Sequence, residues 1–263
     1  MKIKHKIKTT ALFLAIIIVF QVLPVSALSI TADIGISDGI VSFYPFSKIY
    51  MGRAGELNVN QQSQEMVIER NDISLPGCNF PVDITYFYSS LSNNENKWHF
   101  NYSINLTKSD NGIVVNKNDG SKATYNPTGE IINNKEKWII PEEFGVFDYL
   151  LVPTGEYKFS DVVMVTKLQG TFYFSDSGSV SHIKYNDGSN IFIYYNENSK
   201  IQKIVDSEGR QYKFVYNKNS NIEEISIFDS NNDIIVFENG KDKTPCIFKY
   251  NYSKNKLTSI IYP

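Results

Sequence analysis

GTFYFSDSGSVSHIKYNDGSN (170–190), IFIYYNENSKIQKIVDSEGRQ (191–211) and YKFVYNKNSNIEEISIFDSNN (212–232) are three successive lines of 21 residues, and their alignment decides the fold. Phe174, Tyr195 and Tyr216 recur every 21 residues. Six residues after each stands an aliphatic, Val180, Ile201 and Ile222, and nine after each stands an isoleucine, Ile183, Ile204 and Ile225. Asp187-Gly188 and Glu208-Gly209 keep the same step, and a looser fourth copy starts at Tyr250-Asn251 with Leu257 and Ile260 one residue late. A fixed period near 20 residues marks a repeat architecture whose units are stable only when stacked.

The letters of each line specify strands. Phe172 and Phe174, Phe192 and Tyr194, then Tyr212, Phe214 and Tyr216 alternate with other residues. That is the two-residue period of a strand, in residue types that favour one. Between the runs lie Asp-Ser-Gly, Asn-Glu-Asn-Ser and Asn-Lys-Asn-Ser, which accept left-handed backbone or bond their own amides. Each unit therefore reads as two short strands and two turns.

Working outward, Met66–Arg70, Asp72–Leu75, Val82–Tyr88 and Trp98–Tyr102 read as strands, with a turn at Pro76-Gly77. GIVVNKNDGSKATY (112–125) reads as a hairpin about Asp119-Gly120. Two more strand runs lie between Leu151 and Leu168, and Leu28–Tyr50 reads as an extended leader or a first strand. Beyond residue 27 no stretch sustains a helical period, so the chain is expected to be all-β.

Residues 1–27 carry Lys2, Lys4, Lys6 and Lys8, an apolar run from Ala11 to Phe20, and Val25-Ser26-Ala27. This is the pattern of a secretory signal cut after Ala27. The run is short for a membrane span and is interrupted by Gln21 and Pro24, so no membrane association is expected beyond it. Without its four lysines the chain holds 22 basic and 28 acidic residues, a net charge of −6. Dispersed acidic charge gives no footprint for nucleic acid. Export permits a disulfide between Cys78 and Cys246, which would stabilise by about 5 kcal/mol through loop closure. The other reading, two free thiols, is favoured because the pair spans two segments.

Chemistry is sparse. Beyond the signal the histidines are His99 and His182. No G-x-S-x-G or H-E-x-x-H motif occurs, and a paired-carboxylate glycosidase has too many candidate acids to single out. His99 beside Trp98 is a weak candidate base or ligand; His182 reads as an exposed strand position. Asp72, Asp83 and Asp206 read as turn and strand-end acceptors. Asp110, Asp119, Asp176 and Asp187, with Asp206, lie near turns but form no calcium-loop motif. The expectation is a non-enzyme with no cofactor and no metal. Tyrosine and tryptophan are expected mainly as core, with sugar stacking as the alternative.

The stretch Tyr195-Asn196-Glu197-Asn198-Ser199-Lys200-Ile201-Gln202-Lys203-Ile204-Val205-Asp206-Ser207-Glu208-Gly209-Arg210 resembles the YD repeats of RHS (rearrangement-hotspot) proteins. Tyr216 to Ile225 follows the same order, with Asn196 and Asn217 where the family has Asp. Asp72-Ile73-Ser74-Leu75-Pro76-Gly77, Thr85–Ser90 and Trp98 are similar to the module that precedes the repeats in secreted members. The resemblance spans about Gly55 to Ile260. It implies a sheet spiralling into a shell, here incomplete, and the following organisation: signal 1–27, leader 28–54, N-terminal β module 55–160, repeats 161–263. It implies a secreted or cell-surface scaffold, part of a toxin-delivery protein, short of the self-cleaving core and of any toxin domain. The implied partners are the remainder of the shell or a toxin cargo. The structural positions are Phe174, Val180, Ile183, Tyr195, Ile201, Ile204, Gly209, Arg210, Tyr216, Ile222 and Ile225. The alternative function is a β module that binds cell-wall carbohydrate.

Overall fold

The computed structural model describes residues 46–263, apart from 62, 76–81, 93–97, 141–147, 168–169, 240–241 and 255. The signal sequence, most of the leader, the Pro76-Gly77 turn and Cys78 lie outside the described residues. What is described belongs to one compact unit, Ser37–Pro263. It is all-β, with 3-10 turns at Gly52–Ala54 and Phe159–Asp161. No described helix is long and apolar enough to cross a membrane.

Five strands form an antiparallel meander in chain order: β1 (Phe46–Tyr50), β2 (Glu56–Asn60), β3 (Met66–Ile73), β4 (Ile84–Ser89) and β5 (Trp98–Phe100). A second sheet begins with β6 (Asn105–Ser109), β7 (Gly112–Asn116), β8 (Lys122–Ile132), β9 (Lys135–Ile139), β10 (Tyr149–Pro153) and β11 (Val163–Thr166). It continues with β12 (Gly170–Phe174), β13 (Val180–Lys184), β14 (Asn190–Tyr195), β15 (Ile201–Val205), β16 (Gln211–Tyr216) and β17 (Ile222–Phe228). A side hairpin, β18 (Val236–Asn239) with β19 (Asp242–Pro245), interrupts it before β20 (Ile247–Ser253) and β21 (Lys256–Ile261). Its fourteen strands lie in chain order from β6 to β21, with only the side hairpin left out.

A shared irregularity explains the spacing of the repeat. In β12–β13, Phe172 faces Ile183 and Tyr173 faces His182, but Phe174 faces Val180. Ser181 is thus an extra residue, a β-bulge. Gln202 and Glu223 hold the same place in the next two hairpins. One inserted residue turns a strand over. That is why Val180 and Ile183, three apart, are both buried, as are Ile201 and Ile204. Phe174 and Ile225 are buried too, while Tyr195, Tyr216 and Ile222 pack half-buried against the core.

The turns are closed by side chains. The Asn196 oxygen accepts the amides of Asn198 and Lys200, and that of Asn217 accepts those of Asn219 and Asn221. Only one oxygen of the side chain is used, so asparagine serves here as well as aspartate would. At the opposite ends of the strands Asp206 accepts the amides of Glu208 and Arg210, and its second oxygen takes Arg210 Nε at 2.6 Å. Gly209, at φ +81°, makes that turn possible.

The fourth copy keeps Leu257 and Ile260 in their expected places, but its aromatic is displaced. Register puts Tyr252 opposite Leu257 and Tyr250 opposite Ile260. Tyr252, not Tyr250, therefore holds the slot of Tyr195 and Tyr216, and the turn is one residue shorter. The side hairpin also inserts residues between β17 and β20, which breaks the period. Cys246 lies at its root, bonded through its backbone to Ile227 and Ile235. Its thiol is free and buried, and burial pushes its pKa up to about 11. His182 is not simply exposed: its ring stacks between Tyr173 at 4.9 Å and Phe192 at 4.5 Å.

One edge of the long sheet is covered by the sheet itself. The Leu106 amide donates to the Gly178 carbonyl at 2.8 Å, and the Val180 amide donates to the Ile104 carbonyl at 3.0 Å. β6 thereby meets the turn between β12 and β13. The five-stranded sheet lies on the inner face, with Phe100 against Phe214 and Tyr86 against Tyr250, and its residues join those of the long sheet in one core.

Two substitutions test this account. Ile204→Asp places a carboxylate at a fully buried repeat position and is expected to abolish cooperative melting in circular dichroism. Gly178→Ala would set a Cβ against the Leu106 carbonyl oxygen at a φ of +89°. It should cost about 2 kcal/mol in chemical denaturation and accelerate amide exchange at Leu106 and Val180 before other strands.

Candidate functional site

The two sheets face each other across a cleft of about 1020 Å³, at the upper end of the size range of ligand sites. Alternation along β4 sends Tyr86 and Tyr88 to the same side, and with Trp98 and Phe100 of β5 they make one wall. The opposite wall is the line of repeat tyrosines, Tyr195, Tyr216 and Tyr252, with Ile201 and Ile222.

Two of these tyrosines are fixed in place by their hydroxyls. The Tyr195 hydroxyl donates to the Val180 carbonyl at 2.6 Å, and the Tyr216 hydroxyl donates to the Ile201 carbonyl at 2.8 Å. Each reaches back 15 residues to the first aliphatic of the preceding unit. Burial raises all three phenols, Tyr252 to about 12, so they remain neutral hydrogen-bonding groups.

Against the β4–β5 wall lies a largely buried ion pair, whose Arg70 also lines the cleft. Arg70 donates from Nε to Asp72 Oδ1 at 2.7 Å and from Nη2 to Oδ2 at 3.0 Å. The two residues are two apart on one strand and on one face. The guanidinium also lies 5.3 Å from the Tyr86 ring and 4.8 Å from the Trp98 ring. Burial pushes the Asp72 carboxyl above its ordinary range while Arg70 pulls it back. Burial also opposes the Arg70 charge, but the contacts with Asp72 outweigh it and hold the guanidinium above its usual value. The Tyr250 hydroxyl faces Asp72 without closing a full hydrogen bond.

His99 also lines the cleft. Its Nε2 lies 2.8 Å from Ser92 Oγ. Burial lowers its pKa, against the opposing charge of Asp119, so the neutral imidazole is favoured. Asp119 Oδ1 accepts from the Ser121 amide and hydroxyl. The Ser92–His99 contact joins the residues just after β4 to β5, and an added Cβ at Gly120 would meet His99 Nε2. Among the described residues no three His, Cys, Asp or Glu side chains converge as a metal site.

Residues 59–125 match a domain of unknown function, DUF6531. No curated protein matches the chain. The DUF6531 segment supplies the β4–β5 wall, His99 and the Arg70–Asp72 pair, whereas the repeat positions named from sequence supply the other wall. Of those positions Tyr195, Ile201, Tyr216 and Ile222 meet at the cleft. Phe174, Val180, Ile183, Ile204 and Ile225 lie in the core, and Gly209 and Arg210 lie in a turn. Sequence reading missed Ser92 and the Arg70–Asp72 pair; the two-residue spacing of the pair on a strand was its available signal.

The lowered His99 pKa has a sign. The unfolded chain takes up a proton near the ordinary value of about 6.5, whereas the folded chain resists it. Stability from this group is complete above that pH and is lost as pH falls. The melting temperature should drop between about pH 7 and pH 5, and the drop should be shallower in His99→Gln. Superimposable curves for the two proteins would rule out this role for His99.

Proposed function

We propose that this chain is a non-enzymatic wall element, the N-terminal part of an RHS-type β-repeat shell that is secreted or held at the cell surface and joins further repeats around a toxin cargo. The observation that carries this reading is the interlock between units. Successive hairpins share one bulge, one turn design and one tyrosine contact to the unit before, so another hairpin can be added by the same rules. The DUF6531 match at 59–125 supports it, since that family is commonly associated with RHS and YD repeat proteins.

The two edges of the long sheet differ in a way that suits growth in one direction. The β6 edge is bonded to the turn at Gly178. β21 pairs only with β20 among the described residues, and Ile261 there is 53% exposed. An uncovered edge recruits another strand. Light scattering on the purified protein should show concentration-dependent association, and Ile261→Lys should shift the population to monomer with an unchanged melting curve. A wild-type chain that stays monomeric at every concentration would count against the wall reading and leave a finished binding module in its place.

A further inference from the structure

We propose that the cleft between the two sheets is a binding site for an anionic oligosaccharide, a chain of sugar rings bearing carboxylate or sulfate groups. This does not depend on the wall reading. The protein has an excess of acidic residues, 28 against 26, yet among the described residues no aspartate or glutamate lines the cleft, whereas Arg70, Lys200, Lys254 and Lys256 do. Arg70 is neutralised by Asp72. The three lysines have no ion pair among the described residues, and Lys218 adds a fourth cation in an adjoining hollow with Lys254.

The distribution of turn residues keeps this charge uncompensated. At the strand ends away from the cleft, the oxygens that close the turns belong to Asp187, Asp206 and Asp229. At the cleft end the same job is done by Asn196 and Asn217. Glu197, on one of those turns, lies outside the lining. A carboxylate at Asn196 or Asn217 would close the turn equally well and would sit beside Lys200 or Lys218. Their neutrality leaves the lysines without a carboxylate partner there; Lys200 Nζ donates to the Ser220 carbonyl at 3.2 Å and lies over the Tyr216 ring, which holds its charge at the cleft.

The rings decide between a sugar and a peptide. Trp98, Tyr88, Tyr216 and Tyr252 present rings to the cleft from both walls, and the Tyr216 hydroxyl is already committed to a backbone carbonyl. The ring is therefore held in place before any ligand arrives. Rigid aromatic faces stack on sugar rings at little entropic cost. An acidic peptide such as a run of glutamates would supply the charge but no ring to lie on these faces.

The test uses the full protein with Trp138→Phe, which leaves Trp98 as the single tryptophan reporter. The probes are tetragalacturonate, a hyaluronan hexasaccharide and a heparin tetrasaccharide, with methyl-esterified tetragalacturonate (same rings, no charge) and a glutamate decapeptide (charge, no rings) as controls. At least one anionic sugar should change Trp98 emission and bind at least ten-fold more tightly than both controls. Binding should weaken with salt and fall at least ten-fold in a Lys200→Gln/Lys254→Gln/Lys256→Gln variant whose melting curve is unchanged. Equal binding of the methyl ester would overturn the charge argument. Equal binding of the peptide would make the cleft a peptide site. No binding of any anionic sugar at millimolar concentration would overturn the proposal outright.

Discussion

A hairpin of this chain has one apolar face and cannot cover it alone. Everything else follows from that constraint. An isolated two-stranded unit is marginal in water, so successive hairpins pair edge to edge and the whole inner face still needs a cover. β4 and β5 supply part of it, with Phe100 seated on Phe214 and Tyr86 on Tyr250. The bulge at Ser181, Gln202 and Glu223 makes the arrangement possible, because it turns both aliphatic positions of a strand to the covered side. The cleft exists where that cover stops short of the turn ends, and its walls are core residues at the margin of the core.

Polar groups are sorted by strand end. Aspartates that close turns lie on one side of the long sheet and asparagines on the other, though Asp206 and Asp229 accept the same pair of amides as Asn196 and Asn217. The Arg70–Asp72 pair, largely taken out of water at the tyrosine wall, adds no net charge to the cleft. Breaking such a pair costs far more than forming it gains, so its role reads as fixing Trp98 and Tyr86 in place rather than as net stabilisation.

The strands, the turns and most of the core could be read from the sequence, because they rest on local periodicity. Phe174, Ile183, Ile204 and Ile225 are buried where the spacing puts them. The bulge was implicit in the three-residue step from Val180 to Ile183, which no regular strand can place on one face. In the fourth unit only the aromatic was misplaced, Tyr250 for Tyr252, because a shortened turn shifts the register while Leu257 and Ile260 hold their places. The cleft could not be read at all. Tyr88 and Tyr216 share it although 128 positions separate them in the chain, and no local pattern encodes such a meeting. For the same reason His99 looked isolated although Ser92, seven residues earlier, reaches it.

The edge contact at Gly178 bears on the order of events in folding. Nearly every ladder in the long sheet joins strands adjacent in sequence, so its hairpins can form quickly and independently. The bonds between Leu106 and Gly178, and between Val180 and Ile104, close a loop of more than 70 residues. That closure is unfavourable until both ends are already shaped. The meander is thus a structure that assembles from its parts without waiting, and the seam at β6 is the slow step that turns a ribbon into a closed object.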